Sequence, residues 1–461
     1  MLTSSYPATM APQSGGFARP DRIGAAPLVA FVVVVAVLQA ALVPSFLFTV
    51  RTPLRVLLYG SGLVMLCMPL GRGIRLPTTG YAYGIVALLT VGMLHPETNS
   101  TLGGLAAIML NLAILSPVFW VSRLRLTARD LEKLFFLFWA FHAVSAALGI
   151  LETVLPGTFA RTSSIAERLA GASAEGLMVT LADGTRVYRP MGLTDTPGGA
   201  AASGMLAVLY GSALSLRPGQ SFWRWAYRIG IVCGLFCIYI CQVRSILILT
   251  VLCVIAMAVL MARRGEKKRV ASLVGAFAVL GTAATVWAFS VGGSSVSDRI
   301  SSLSDGSASE VYYRHRGHFL EQTATDLAPK HPLGAGLARW GMVYGYFGDK
   351  SAAAPRPIWV EIQATGWLLD GGLPLVAVYY VAILVALGFA YRVAITRRDA
   401  VGDLAIAVAA YDLAILANTF SYAPFIGQAG LDFWLVNSCL MTVVCRDDLA
   451  ARRQPAEWPP A

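Results

Sequence analysis

Apolar residues fall in long blocks separated by short polar punctuation, at about 27–47, 54–70, 80–94, 102–121, 134–155, 198–215, 229–243, 245–262, 270–291, 373–391, 402–420 and 430–445. A helix needs about 20 such residues to cross a hydrocarbon layer of about 30 Å. Within lipid, only helices and closed barrels satisfy every backbone group, and blocks of this length suit helices. The pattern predicts an all-α polytopic membrane protein with about 12 transmembrane helices. The first block holds FVVVVAVL (31–38), which has the character of a signal-peptide core. No small-residue cleavage site follows, so it is read as a retained first span.

Two long intervals interrupt the blocks. The layout is a tail at 1–26, spans over 27–155, a first loop at 156–197, spans over 198–291, a large loop at 292–372, spans over 373–445 and a tail at 446–461. Loops longer than about 15 residues are usually functional or disordered. The stretch GGSSVSDRISSLSDGSAS (292–309) reads as flexible and polar. VYYRHRGHFLEQTATDL (311–327) places apolar and aromatic residues at near-helical spacing and predicts an ordered surface helix. Pro332, Gly334, Gly336 and Gly341 then mark a turn-rich return, so the second loop is partly helical. There is no internal repeat and no segment large enough to fold alone as a soluble domain.

Composition narrows the class. Of 461 residues, 56% are hydrophobic and 13% charged, with a mean hydropathy of +0.65. A soluble domain carries about 25% charge, so an ordinary soluble enzyme, a disordered chain and a nucleic-acid module are excluded. The net charge of +11 is mostly a matter of orientation. With twelve spans, 22 of the 36 basic residues fall in short loops and tails on one side, which the positive-inside rule makes cytoplasmic, both termini included. The others, Arg51 and Arg55 among them, fall mainly in the two long loops on the outer side. All seven cysteines lie in or at the ends of the blocks, so no disulfide framework is implied. Cys233, Cys237 and Cys241 share a helix face and read as packing residues rather than a metal or redox site.

Charges inside or beside apolar blocks are costly and mark functional positions. Arg244, in CQVRSILIL, has apolar flanks on both sides. It reads either as a guanidinium snorkelling to the nearest interface or as one that meets an anionic headgroup in a wet cavity. A planar guanidinium suits phosphate because it binds bidentately and stays charged. Arg189, in RVYRPMGLTDTPGG, and Arg314 and Arg316, in YYRHRGHF, lie on loops that fall on the same side. Three or four arginines converging there would suit a diphosphate. Glu361 and Asp370, in IWVEIQATGWLLDGGLPL, open the next helix, with Trp359 just upstream. Glu361 reads as a general base or as a helix N-terminal carboxylate favoured by the dipole. His315 and His318 lack a third ligand and sit beside arginines, so no metal is expected. His142 and Asp412 lie inside blocks and read as hydrogen-bonding partners of neighbouring helices, a proton relay being the alternative for Asp412. His331, ahead of Pro332, reads as structural.

These elements, in this order, resemble the O-antigen ligase and Wzy polymerase superfamily of bacterial inner-membrane glycan-joining enzymes. The resemblance spans roughly residues 185–392. It rests on YRPMGLTDTPGGAA, on QVRS before a long apolar helix, on YRHRGHF followed by HPLGAGLARWG, and on VEIQATGWLLDGGLP. It implies that Arg189, Arg244 and Arg314, with Arg316 beside them, hold the diphosphate of an undecaprenyl-linked glycan. On the residues themselves, Glu361 and Arg244 are the catalytic candidates, and His318, Trp359 and Asp370 are candidate glycan contacts. Many ligases carry His-Asn where this chain has Glu361 and Ile362. That departure points towards a polymerase that joins repeat units into O-antigen or exopolysaccharide at the periplasmic face, without a metal or soluble cofactor. The implied partners are the lipid-linked glycan, membrane lipids, and chain-length regulator and export proteins, with no nucleic acid. A ligase acting on lipid A core or another acceptor is the first alternative. A lipid-linked glycan flippase or secondary transporter is the second, and the broken helices that favour it are not visible in the sequence.

Overall fold

The computed structural model describes residues 24–159, 178–181, 184–194, 196, 198–216, 221–301, 310 and 312–453. Every one of the twelve apolar blocks coincides with a helix: α1 Ala26–Ala41, α2 Arg51–Cys67, α3 Thr79–Gly92, α4 Thr101–Trp120, α5 Ala128–Val154, α6 Gly199–Ser215, α7 Ser221–Cys241, α8 Arg244–Arg263 and α9 Lys267–Ser301, then, after the large loop, three more. Within that loop, α10 is a run of successive turns from Tyr313 to Lys330, two of them widened to π geometry, and α11 is Gly341–Phe347. The last three blocks are α12 Gln363–Thr396, α13 Ala400–Asn418 and α14 Gln428–Arg453. Among the described residues, eight helices are long and apolar enough to cross a membrane: α4, α5, α7, α8, α9, α12, α13 and α14. Among the described residues the chain is thus all-helical apart from one short antiparallel hairpin, β1 Met178–Thr180 against β2 Arg186–Tyr188, in the first long loop.

Local sequence explains where several helices begin. Ser100 accepts the Gly103 N–H at 3.0 Å to cap α4, and Thr127 with Asp130 forms a capping box for α5. Asp399 caps α13 through the Gly402 N–H at 2.9 Å and also takes Arg397 at 2.6 Å. Partial burial pushes the Asp399 carboxyl upward, but the Arg397 and Gly402 hydrogen bonds outweigh it and hold it below the usual carboxylate range. A depressed carboxyl contributes stability that is complete above its unfolded value of about 4 and is lost as pH falls through the folded value. Asp399→Asn is therefore expected to flatten the acid limb of a pH–stability curve below about pH 4, with less than about 1 kcal/mol lost at neutrality. Acid titration of unfolding in detergent reads this out.

Packing follows small residues. Helix α6 is buried along almost its whole length, and its Gly204 meets Gly234 of α7 so closely that a Cβ on Gly204 would lie 2.6 Å from the Gly234 carbonyl. Such close backbone approach is how helices associate where lipid removes the hydrophobic drive. The cysteine face of α7 lies in this interface: Cys237 Sγ reaches the Ala200 carbonyl at 3.4 Å and Cys241 Sγ at 3.7 Å. Cys237 and Cys241 are thus buried in the contact between α6 and α7. His142 of α5 faces Ser203 of α6 at 3.4 Å, a contact between neighbouring helices as expected.

Two expectations need correction. The polar stretch from 292 is helical as far as Ser301, resuming after Gly293 at φ 55°; residues 302–309 lie outside the described set. The block at 373–391 belongs to a longer helix that begins at Gln363 and is broken at Gly371 and Gly372, where φ is 69° at Gly372. Pro374 cannot donate to the carbonyl four residues back, so the ladder fails at this point. The Pro332–Leu337 turn fills the gap: Ala335 N–H donates to the Leu369 carbonyl at 2.7 Å and Leu373 N–H to the Pro332 carbonyl at 2.9 Å. A broken helix was not visible in the sequence. It is present.

Candidate functional site

The hairpin strand β2 delivers Arg189 directly into the turn Pro190–Thr194. That turn is clamped from α5. Met191 and Gly192 N–H groups donate to Glu152 Oε2 at 2.7 and 3.1 Å, and Leu193 N–H donates to Ser145 Oγ at 3.0 Å. Gly192 takes φ 59°, and a Cβ there would meet the Ser145 side chain and carbonyl, so only glycine fits. Glu152 escaped the sequence reading because it closes an apolar block like a boundary residue. The available signal was the cost of a carboxylate at the end of a span.

From the turn the chain enters α6 through Gly198 at φ 79°. A Cβ at Gly198 would lie 3.0 Å from Val243 Cγ2 and 3.8 Å from Arg189 Cδ. The Arg189 stem and the residue preceding Arg244 therefore border the same point, the N-terminus of α6. Arg244 itself opens α8, two residues after Gln242 at φ 53°. Positive φ in a non-glycine residue is uncommon and clusters at functional sites. Among the described residues only Gln242 and Ala338 show it, and they lie in the QVRS and GLARWG motifs. Neither α6 nor α8 has a side-chain N-cap. Two helix N-termini so placed, with an arginine at each, concentrate positive potential where an anion would be held.

A second cluster forms where α10 meets the start of α12. Arg316 pairs with Glu361 Oε2, and Trp359 Nε1 donates to Glu361 Oε1 at 3.0 Å. Both carboxylate oxygens are thus engaged, one by a half-buried guanidinium and one by an indole on a residue that is 74% exposed. Tyr312 OH reaches the Phe420 carbonyl at 3.1 Å, and Thr323 meets Thr365 at 2.5 Å, fixing α10 against α12 and the loop after α13. Gln363 secures the other side, its N–H shared by the Thr419 and Tyr422 carbonyls at 3.0 Å. His318 is turned inward on its own helix, Nδ1 at 3.2 Å from the Tyr313 carbonyl. The side chains of Arg314 and His315 lie outside the described set.

Asp370 does not join Glu361. It is buried at the break in α12, accepts Trp340 Nε1 at 2.9 Å, and lines a small cavity with Asn111, Met342 and Val343. His331, in the turn that fills the break, is held below its ordinary value by burial and by nearby Arg339. Among the described residues no group of three His, Cys, Asp or Glu side chains is placed to hold a metal ion. The structure thus joins Arg189 with the Arg244 segment, and Arg316 with Glu361 and Trp359. Asp370 belongs to the helix break. No known protein-family model matches the chain, and no curated protein matches it.

Proposed function

We propose that the protein transfers a glycan from undecaprenyl diphosphate to a hydroxyl of the next lipid-linked repeat unit, at the periplasmic face of a bacterial inner membrane. In this reading all twelve helices of the apolar blocks span, and both termini are cytoplasmic. The observation that carries it is the meeting of Arg189 with the Arg244 segment at two helix N-termini without side-chain caps. A diphosphate leaving group needs charge stabilisation, and preorganised guanidinium and N–H groups supply it. The bond from the anomeric carbon to the diphosphate oxygen breaks, leaving undecaprenyl diphosphate, while the acceptor oxygen forms the new glycosidic bond. The acceptor proton passes to Glu361, whose Oε1 becomes available once an incoming sugar displaces the exposed indole of Trp359. Arg316 keeps that carboxylate in position, and Arg314, His318 and Asp370 remain candidate contacts.

A second reading draws on the break in α12. Discontinuous helices with a polar residue at the break are common in secondary transporters, so a flippase for the same lipid-linked glycan is the competing class. Purified protein in detergent, given lipid-linked oligosaccharide extracted from cells lacking this gene, is expected to release undecaprenyl diphosphate and lengthen the lipid-linked chains. Transfer to an added lipid A core without chain lengthening would make it a ligase. No release of undecaprenyl diphosphate under any acceptor would overturn glycan transfer and leave the transporter.

A further inference from the structure

The interior of the helix bundle holds two carboxylates that the proposed transfer does not use. Asp412 on α13 and Asp432 on α14 are 0% and 3% exposed. Each has one oxygen held by a side-chain amide: Asn437 Nδ2 donates to Asp412 Oδ1 at 2.7 Å, and Gln428 Nε2 to Asp432 Oδ1 at 2.7 Å. Among the described residues, no ion pair reaches either carboxylate. Asp412 Oδ2, Asn437 Oδ1 and Gln428 Oε1 have no hydrogen-bond partner, and neither does the hydroxyl of Tyr210 on α6. Tyr210, fully buried, lies within electrostatic reach of both carboxylates.

We infer that the Asp412–Asn437 and Asp432–Gln428 pairs, with the buried hydroxyl of Tyr210, bind monovalent cations, protons or sodium ions, inside the bundle. Two carboxylates at this depth without a cationic partner are strongly disfavoured, and intramembrane acids of this kind mark ion sites. One monovalent cation at each carboxylate removes its charge and offers a partner to the oxygens that the amides leave over. The other titratable groups facing the site are Tyr411, whose hydroxyl donates to the Ala429 carbonyl at 3.1 Å, and Cys253 of α8, whose Sγ reaches the Ala410 carbonyl at 3.5 Å. Neither supplies a positive charge. The inference uses none of Arg189, Arg244 and Glu361, so it stands whether or not glycan transfer does.

Thermal unfolding of the purified full-length chain in detergent tests the inference. One series replaces choline chloride by sodium chloride at constant ionic strength and pH; the other lowers the pH from about 8 to about 5 in choline chloride, above the range where Asp399 acts. A ligand bound by the folded chain alone raises the midpoint by mass action. A sodium site is expected to raise it by at least about 2 °C in the first series, and a proton site by a similar shift as pH falls in the second. Asp412→Asn and Asp432→Asn should each lose most of that dependence, because the carboxamide needs no cation. A wild-type midpoint flat in both series, or a dependence undiminished in both variants, would overturn the proposal. Should neither variant fold, infrared difference spectra of the wild type decide. Carboxyl bands slow to exchange with deuterium must respond to sodium or to pH, and their silence in both series would equally overturn it.

Discussion

Gly372→Ala is expected to destabilise the folded protein by about 2–6 kcal/mol, the sum of a positive-φ penalty and of overpacking. Gly372 sits at φ 69°, where side chains are rarely tolerated. A Cβ there would overlap the Pro332 carbonyl oxygen and the Leu333 backbone. These are backbone atoms, so no rotamer change relieves the clash. The Pro332 carbonyl is also the acceptor for the Leu373 N–H at 2.9 Å, and moving it would leave a donor unpaired at the helix break. Gly388 on the same helix provides the control. It is exposed with nothing within 4 Å of a built Cβ, so Gly388→Ala should cost nothing and can gain about 0.5–1 kcal/mol. Denaturant titration of the two variants in micelles compares them directly. Equal stability would mean that the break is not held as described.

Arg244→Ala is expected to slow release of undecaprenyl diphosphate by about 10²–10³, the usual effect of removing one preorganised charge-stabilising donor. Arg244→Lys should recover only part of this, because an ammonium keeps the charge but loses the bidentate fork. Arg189→Ala should act similarly. The double variant should fall short of the product of the two losses, since Arg189 and the Arg244 segment border one point and neighbouring groups do not act additively. The measurement is single-turnover release with purified protein whose unfolding midpoint matches wild type. Full turnover by Arg244→Ala would remove the anion site from the mechanism.

The residues that were legible and those that were not differ for a physical reason. Helix positions followed from the apolar blocks because backbone groups in lipid have no partner except the helix ladder. Arg189 and Arg244 were legible because a charge beside an apolar block is anomalous on its own. Glu152 was not, because its role is to hold the N–H groups of Met191 and Gly192, about forty positions away. Arg316 and Glu361 were both selected from the sequence, but nothing in their spacing said that they pair, since the contact joins α10 to the start of α12. Asp370 was grouped with Glu361 by proximity in sequence, yet its partner is Trp340 at the helix break. The break itself was hidden because LLDGGLPL reads as a helix beginning at the glycines.

By itself the sequence determined the helical class, the approximate position of every apolar helix, and the short set of charged residues that stand out among them. These are local properties: hydropathy over about 20 residues, a capping residue, a costly charge. Tertiary structure alone decided which charges meet. It brought the Arg189 stem and Val243 to the same point beside Gly198, turned Gln242 into a positive φ, fitted the Pro332–Leu337 turn into α12, and set Asp412 and Asp432 in the interior with no ion pair among the described residues. Each of these depends on segments far apart in the chain reaching contact, and a carboxylate or guanidinium carries no local mark of the partner it will meet.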